Sequence, residues 1–158
     1  MTIVDQYLVH APPDVCFQVA ADVERWPDIL PHYRWVRFHD KRGFGSGVVE
    51  MAAWRRFAAG LRYPTWWVSE MRSAAHEPAI YYTHIDGITR GMDVKWELNA
   101  RGSDTFIKLY HTWRGPAWPL IRGVAAQWVI LPHFVSAIAQ RTLAGVARAA
   151  ELRAQSTT

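Results

Sequence analysis

The spacing of apolar residues changes period along this chain, and each change marks an element. Residues 2–10 set Ile3, Tyr7 and Val9 among polar neighbours at strand spacing. Ala11-Pro12-Pro13-Asp14 ends that strand. Pro13 suits the head of a helix, where the first amides have no intrahelical acceptor. Val15, Phe17, Val19 and Ala20 carry a short helix to about Ala21. Asp22 is placed to cap the next turn, and residues 23–27 and 28–32 read as short helical turns that stop at Pro31.

The middle of the chain alternates. Strands are predicted over 34–40, 47–57, 61–72, 79–85, 91–99 and 105–113, with turns at Lys41-Arg42-Gly43, Ala58-Ala59-Gly60, His76-Glu77-Pro78, Asp86-Gly87 and residues 100–104. The clearest case puts Met92, Val94, Trp96 and Leu98 on one face, with Asp93, Lys95, Glu97 and Asn99 on the other. Ile107, Leu109, His111 and Trp113 share a face in the last strand. Gly115-Pro116 closes the sheet region.

From Ala117 the pattern turns helical. Residues 136–153 are rich in Ala, with Ile138, Thr142 and Val146 near helical spacing. The polar end, residues 154–158, is expected to fray. The order is therefore one strand, two short helices, six strands and one long helix. This predicts a single α+β domain over 1–153: a curved antiparallel sheet of about seven strands around a long C-terminal helix. Such a sheet leaves a gap against its helix, where a ligand would sit.

Composition sharpens that expectation. The 158 residues include nine Trp, six Tyr and six Phe, more flat rings than a core of this size needs. A ring-lined cavity or an exposed aromatic face is implied. The net charge of +4 comes from basic residues scattered in sequence, with Arg55-Arg56 the adjacent pair, so nucleic acid is not expected as a partner. Cys16 is the single cysteine, which excludes an internal disulfide and is compatible with a reducing compartment. Residues 1–10 lack the basic-then-apolar pattern of a secretory signal. The apolar stretch 117–139 is broken by Pro119, Arg122, Gln127, Pro132 and His133, too often for a membrane span. A cytoplasmic protein without integral membrane contact is expected.

Two segments carry a family resemblance. Ala11-Pro12-Pro13-Asp14-Val15-Cys16-Phe17 is followed by Asp22-Val23-Glu24-Arg25-Trp26-Pro27, Leu30-Pro31 and Tyr33. This opening resembles the START/SRPBCC helix-grip superfamily, in particular its polyketide cyclase/dehydrase (aromatase/cyclase-like) branch, and is similar to coenzyme-Q-binding proteins. Trp67-Val68-Ser69, Asp86-Gly87 with residues 92–96, and the terminal helix extend the likeness over nearly the whole chain. The resemblance implies a hydrophobic pocket with Trp26, Leu30 and Tyr33 near its mouth, Trp67, Ser69 and Trp96 facing inward, and Thr142 on the inner helix face. Where those cyclases carry an inward Arg, four residues past the matching Trp, this chain has Met71. Arg72 is adjacent, and strand alternation sends it to the opposite face unless a bulge intervenes.

The candidate ligand-binding set is completed by Met71, Met92, Leu109, Trp113, Phe134 and Ile138. Closing and dehydrating a poly-ketone needs a proton acceptor and donors to enolate oxygen. Tyr33, His84 and His111 are the catalytic candidates, because a phenol donates and an imidazole exchanges protons near neutral pH. No helical His pair, Cys cluster, glycine-rich phosphate loop or nucleophile elbow occurs, so neither metal nor cofactor is expected. Three functions stay open: a polyketide cyclase/dehydrase, a non-catalytic carrier of a lipid or quinone, and a protein-interaction module using Trp54, Trp66 or Trp118. Exposed Trp is also compatible with a homodimer.

Overall fold

The computed structural model describes residues 1–113 and 131–157. β1 (Thr2–Val9) leads into α1 (Pro13–Ala21), a 3-10 turn (Val23–Arg25) and α2 (Trp26–Ile29). Six strands follow: β2 (Tyr33–Gly43), β3 (Ser46–Arg56), β4 (Arg62–Ala74), β5 (Ala79–Gly87), β6 (Met92–Arg101) and β7 (Asp104–Trp113). The chain ends in α3 (Leu131–Ser156). Gly115-Pro116 and Trp118 lie outside the described residues.

The strands form one antiparallel sheet in the order β1-β7-β6-β5-β4-β3-β2. Only β1 is out of sequence order: it pairs with the last strand, Thr2 opposite Thr112 and Val9 opposite Thr105. Register shifts in β2, at Tyr33/Trp35 and Phe38/Asp40, and in β4–β5, at Val68/Ser69, add the local twist that curls the sheet. α3 packs across the concave face, fixed near its C-terminal end by polar bonds. Glu151 accepts from the His10 amide at 3.0 Å, and Arg153 donates to Gln18 of α1 at 3.1 Å. This is the α+β helix-grip architecture. No helix among the described residues is long and apolar enough to cross a membrane.

α1 begins as its sequence demands, with Pro12 extended at the N-cap and Pro13 in the first turn. Cys16, Val19 and Ala20 are its buried stripe. Asp22 differs from expectation: its side chain caps nothing, and the Arg25 amide bonds its carbonyl at 3.1 Å instead. The second short helix stops at Ile29 rather than near Pro31, because Leu30 turns extended and drives its side chain into the interior. α3 runs to Ser156, past the predicted limit at Arg153.

Leu30 reaches α3 at a glycine. A Cβ on Gly145 would sit 2.1 Å from Leu30 Cδ2, so the helix carries a notch into which Leu30 fits. A second glycine shapes the sheet. Gly87 ends β5 at φ 91°, where a side chain would meet the Trp66 carbonyl at 2.4 Å. The loop that follows is held by Ile88 N–H to Trp66 O at 3.2 Å and Gly91 N–H to His84 O at 2.8 Å. Thr89 is thereby folded beneath the sheet edge, where it is buried.

Candidate ligand cavity

Between sheet and helix lies a cavity of about 80 Å³. Its aromatic wall is a relay of rings. Trp96 of β6 meets Trp26 of α2 (centroids 5.9 Å apart), Trp26 meets Tyr33 edge-on at 5.1 Å, and Tyr33 meets Trp67 of β4 at 6.2 Å. Trp67 then stacks on His84 of β5 at 5.8 Å with 9° between planes. Met51, Met92, Val94 and Leu109 come from strands, and Phe134, Val135, Ile138, Ala139 and Thr142 from α3. Edge-to-face and stacked contacts suit rings with a negative face and positive edge.

Polar groups are few and placed. His84 Nδ1 is hydrogen-bonded to the Thr89 hydroxyl. Burial lowers its pKa to about 3, and nearby His111 opposes a second positive charge. His111 is lowered to about 4 by the same burial, against the pull of Asp5. Both imidazoles are therefore neutral near pH 7 and act as proton acceptors or neutral donors. Behind His111 stands Asp5 of β1, its Oδ2 4.0 Å from His111 Nδ1. At that distance they are not hydrogen-bonded to each other, and among the described residues neither atom has a hydrogen-bond partner. The other oxygen, Oδ1, accepts from Gln140 Nε2 at 2.7 Å and from the Ser136 hydroxyl, both on α3.

The opposite side of the cavity is built around Thr142. Its hydroxyl donates to the Ile138 carbonyl at 2.9 Å, as a threonine inside a helix does. Its one proton being spent, it accepts from His32 Nε2–H at 3.0 Å, which fixes the His32 tautomer. Burial lowers His32 to about 4, with Arg141 and Arg56 adding to it. Tyr33 and Tyr82 are buried phenols held protonated by desolvation. Among the described residues the Tyr82 hydroxyl has no hydrogen-bond partner, so it is a donor facing the cavity uncommitted.

Most of the expected residues meet here. Trp26, Tyr33, Trp67, His84, Met92, Trp96, Leu109, His111, Phe134, Ile138 and Thr142 all line the cavity. Four do not. Leu30 is spent in the Gly145 notch. Trp113 is buried with its indole N–H on the Arg90 carbonyl at 3.1 Å. Ser69 and Met71 point inward and are buried, but lie beyond the cavity wall. Arg72 does not replace Met71. The bulge falls upstream, with Ile85 as the extra residue of β5, so alternation persists and Arg72 stacks outside on Tyr81 at 4.4 Å.

Thr65, Tyr82, Thr89 and Asp5 were missed by sequence reasoning. Asp5 shared a face with Ile3 and Val9 in the alternation, and a carboxylate on an apolar strand face was the available signal. Among the described residues no group of three or more His, Cys, Asp or Glu is arranged to hold a metal ion.

Residues 9–134 match the family model described as polyketide cyclase/dehydrase and lipid transport. The chain belongs to this family. No curated protein matches it. Solved structures with the same fold include the ZhuI aromatase/cyclase from Streptomyces sp. R1128, with 23% identity, TM-score 0.79, and 97% of this chain aligned to 94% of that one. The di-domain ARO/CYC BexL of the BE-7585A biosynthetic pathway aligns at 20% identity and TM-score 0.71, covering 96% of this chain and 47% of BexL. A START superfamily protein from Mycobacterium smegmatis aligns at 14% identity and TM-score 0.66, with 99% of each chain covered. At these identities the likeness establishes the helix-grip fold, and the family itself spans cyclisation and transport.

Proposed function

We propose that this protein binds a small, mostly apolar molecule bearing a planar ring system, of the aromatic or polyketide-like kind, in the cavity between sheet and α3. The ring relay from Trp96 to His84 carries this reading, because it offers flat apolar walls with polar atoms at a few fixed points. The free volume is below the roughly 300–1,000 Å³ of drug-sized sites. A multi-ring ligand therefore displaces wall side chains, and Met51 and Met92 are the ones that yield most cheaply. Native mass spectrometry of the purified protein, followed by denaturation and identification of what is released, tests it. A released aromatic or polyketide-like compound supports the reading; a released straight-chain lipid points instead to a carrier.

A proton-transfer role is favoured by one observation, the Asp5–His111 pair at the cavity wall. In aldol closure of a poly-ketone, neutral His111 takes the proton from the attacking carbon, and a phenol, Tyr33 or Tyr82, donates to the oxygen that gains charge. His111 returns that proton to the oxygen, giving the aldol hydroxyl; in dehydration it takes the second proton from the same carbon and passes it to the departing hydroxyl, which leaves as water. Asp5, 4.0 Å behind the ring, steadies the charged imidazole that results. With a linear poly-β-ketone that cyclises spontaneously, the wild-type protein shifts the product mixture and His111→Phe leaves it at the uncatalysed ratio. An identical mixture with and without wild-type protein leaves binding as the whole function.

A further inference from the structure

The fold gathers arginines that the sequence scatters. At the end of the β3–β4 hairpin, Arg55 and Arg56 lie near Arg141 of α3 around His32; Arg141 acts on both His32 and Arg55. On the outer face, Arg34 and Arg62 both lie over the Trp54 ring, at 4.6 and 5.3 Å from its centroid. Among the described residues none of these five arginines is ion-paired with a carboxylate. Residues 52–69 contain no Asp or Glu at all. Elsewhere on the sheet four cations are paired, Arg37 with Glu50, Lys41 with Glu24, Arg42 with Asp40 and Glu70, and Lys95 with Glu97, while Arg72, Arg101 and Lys108 stack on single aromatic rings.

The tip of the same hairpin is apolar and open. Phe57 is 49% exposed, Leu61 68% and Tyr63 50%. Ala59 at φ 61° and Gly60 at φ 76° turn the chain, and the Phe57 amide bonds the Leu61 carbonyl at 2.8 Å, setting Phe57 and Leu61 side by side. An apolar projection ringed by unpaired arginines is complementary to a surface with buried hydrocarbon and exposed phosphates. We propose that this hairpin docks the protein peripherally on anionic lipid bilayers, with Phe57, Leu61 and Tyr63 entering the interface and Arg56 and Arg62 meeting headgroup phosphates. The site adjoins the cavity. The Arg55 guanidinium donates to the His133 carbonyl at 3.4 Å and lies 5.6 Å from the ring of Phe134, a cavity-wall residue. Docking thus brings the cavity to the bilayer, whatever the cavity carries.

The test is co-sedimentation of the full chain with vesicles of phosphatidylcholine alone and of equal parts phosphatidylcholine and phosphatidylglycerol. Binding is expected to the mixed vesicles, weakening as salt rises, and not to neutral ones. Each of Arg56→Gln and Arg62→Gln is expected to weaken it about fivefold. Leu61→Asp weakens it further, with far-UV circular dichroism unchanged. Arg101→Gln with Lys108→Gln removes two charges elsewhere, one more than either arginine variant, and leaves binding intact. Three results overturn the proposal: no sedimentation with the mixed vesicles, as for a patch serving an acidic protein; equal binding to both vesicle types; or equal losses from the distant and hairpin variants, as for attraction by net charge alone.

Discussion

Asp5 shows how one residue joins fold and chemistry. It is a buried carboxylate on a strand face that otherwise seeks the core, and it survives there because Ser136 and Gln140 donate to it. Asp5→Ala leaves the half-buried Ser136 hydroxyl without this acceptor while the exposed Gln140 amide turns to water, so it is expected to cost about 1 kcal/mol, measured by urea denaturation. His84 and His111 make a different prediction. Their folded pKa values, about 3 and about 4, lie below the free value of 6.5, so the unfolded chain takes up protons first. Stability is then complete above about pH 6.5 and falls as pH drops from there through 4. His111→Gln is expected to flatten that decline in the denaturation midpoint; an unchanged slope means His111 is charged or solvated. At this scale the sequence was half legible. Alternation put His111 on one face with Leu109 and Trp113, the family resemblance put Trp67 inward, and His84 was a candidate by its imidazole alone. Alternation could not tell that Ser69 and Met71, equally inward, fall beyond the wall, since that depends on where α3 crosses the sheet.

Among elements, the contact between α2 and α3 is the most exacting. Leu30 fills a notch that exists because residue 145 lacks a Cβ. Gly145→Ala improves helix propensity by up to about 1 kcal/mol yet is expected to be net destabilising by about 1–2 kcal/mol, since Leu30 is fully buried and has nowhere to move. In a Leu30→Ala background the same change becomes neutral or stabilising. Additive effects in that double-mutant cycle would show that the two residues do not share the notch. The strands themselves were readable to within a few residues, because alternation and glycine turns both report on them. Helix limits were less so. α3 outlasts its apolar pattern through Ser156, and the turn at Leu30 answers to burial rather than to Pro31.

For the whole molecule, element order alone implied a curled sheet gripping a helix, since neighbours joined by short turns leave few antiparallel arrangements. The family match and the shared fold of the cyclase and START structures agree with that architecture. What sequence order hid was that strand pairing brings Arg34 and Arg62 to one ring, Trp54, and that the curl of the sheet brings Arg55 to Arg141 of α3. The same curl brings Trp26, Trp67 and Trp96 around one cavity, and the central claim is that this cavity takes a planar apolar ligand. The most direct test is titration of the protein with a flavonoid while tryptophan fluorescence is recorded, in the wild type and in Ala139→Phe, which fills the cavity from α3. Saturable quenching in the wild type, lost in Ala139→Phe while circular dichroism stays native and retained in Trp66→Phe on the outer face, is the predicted result. Absence of saturable quenching, or quenching undiminished when the cavity is filled, would contradict the account.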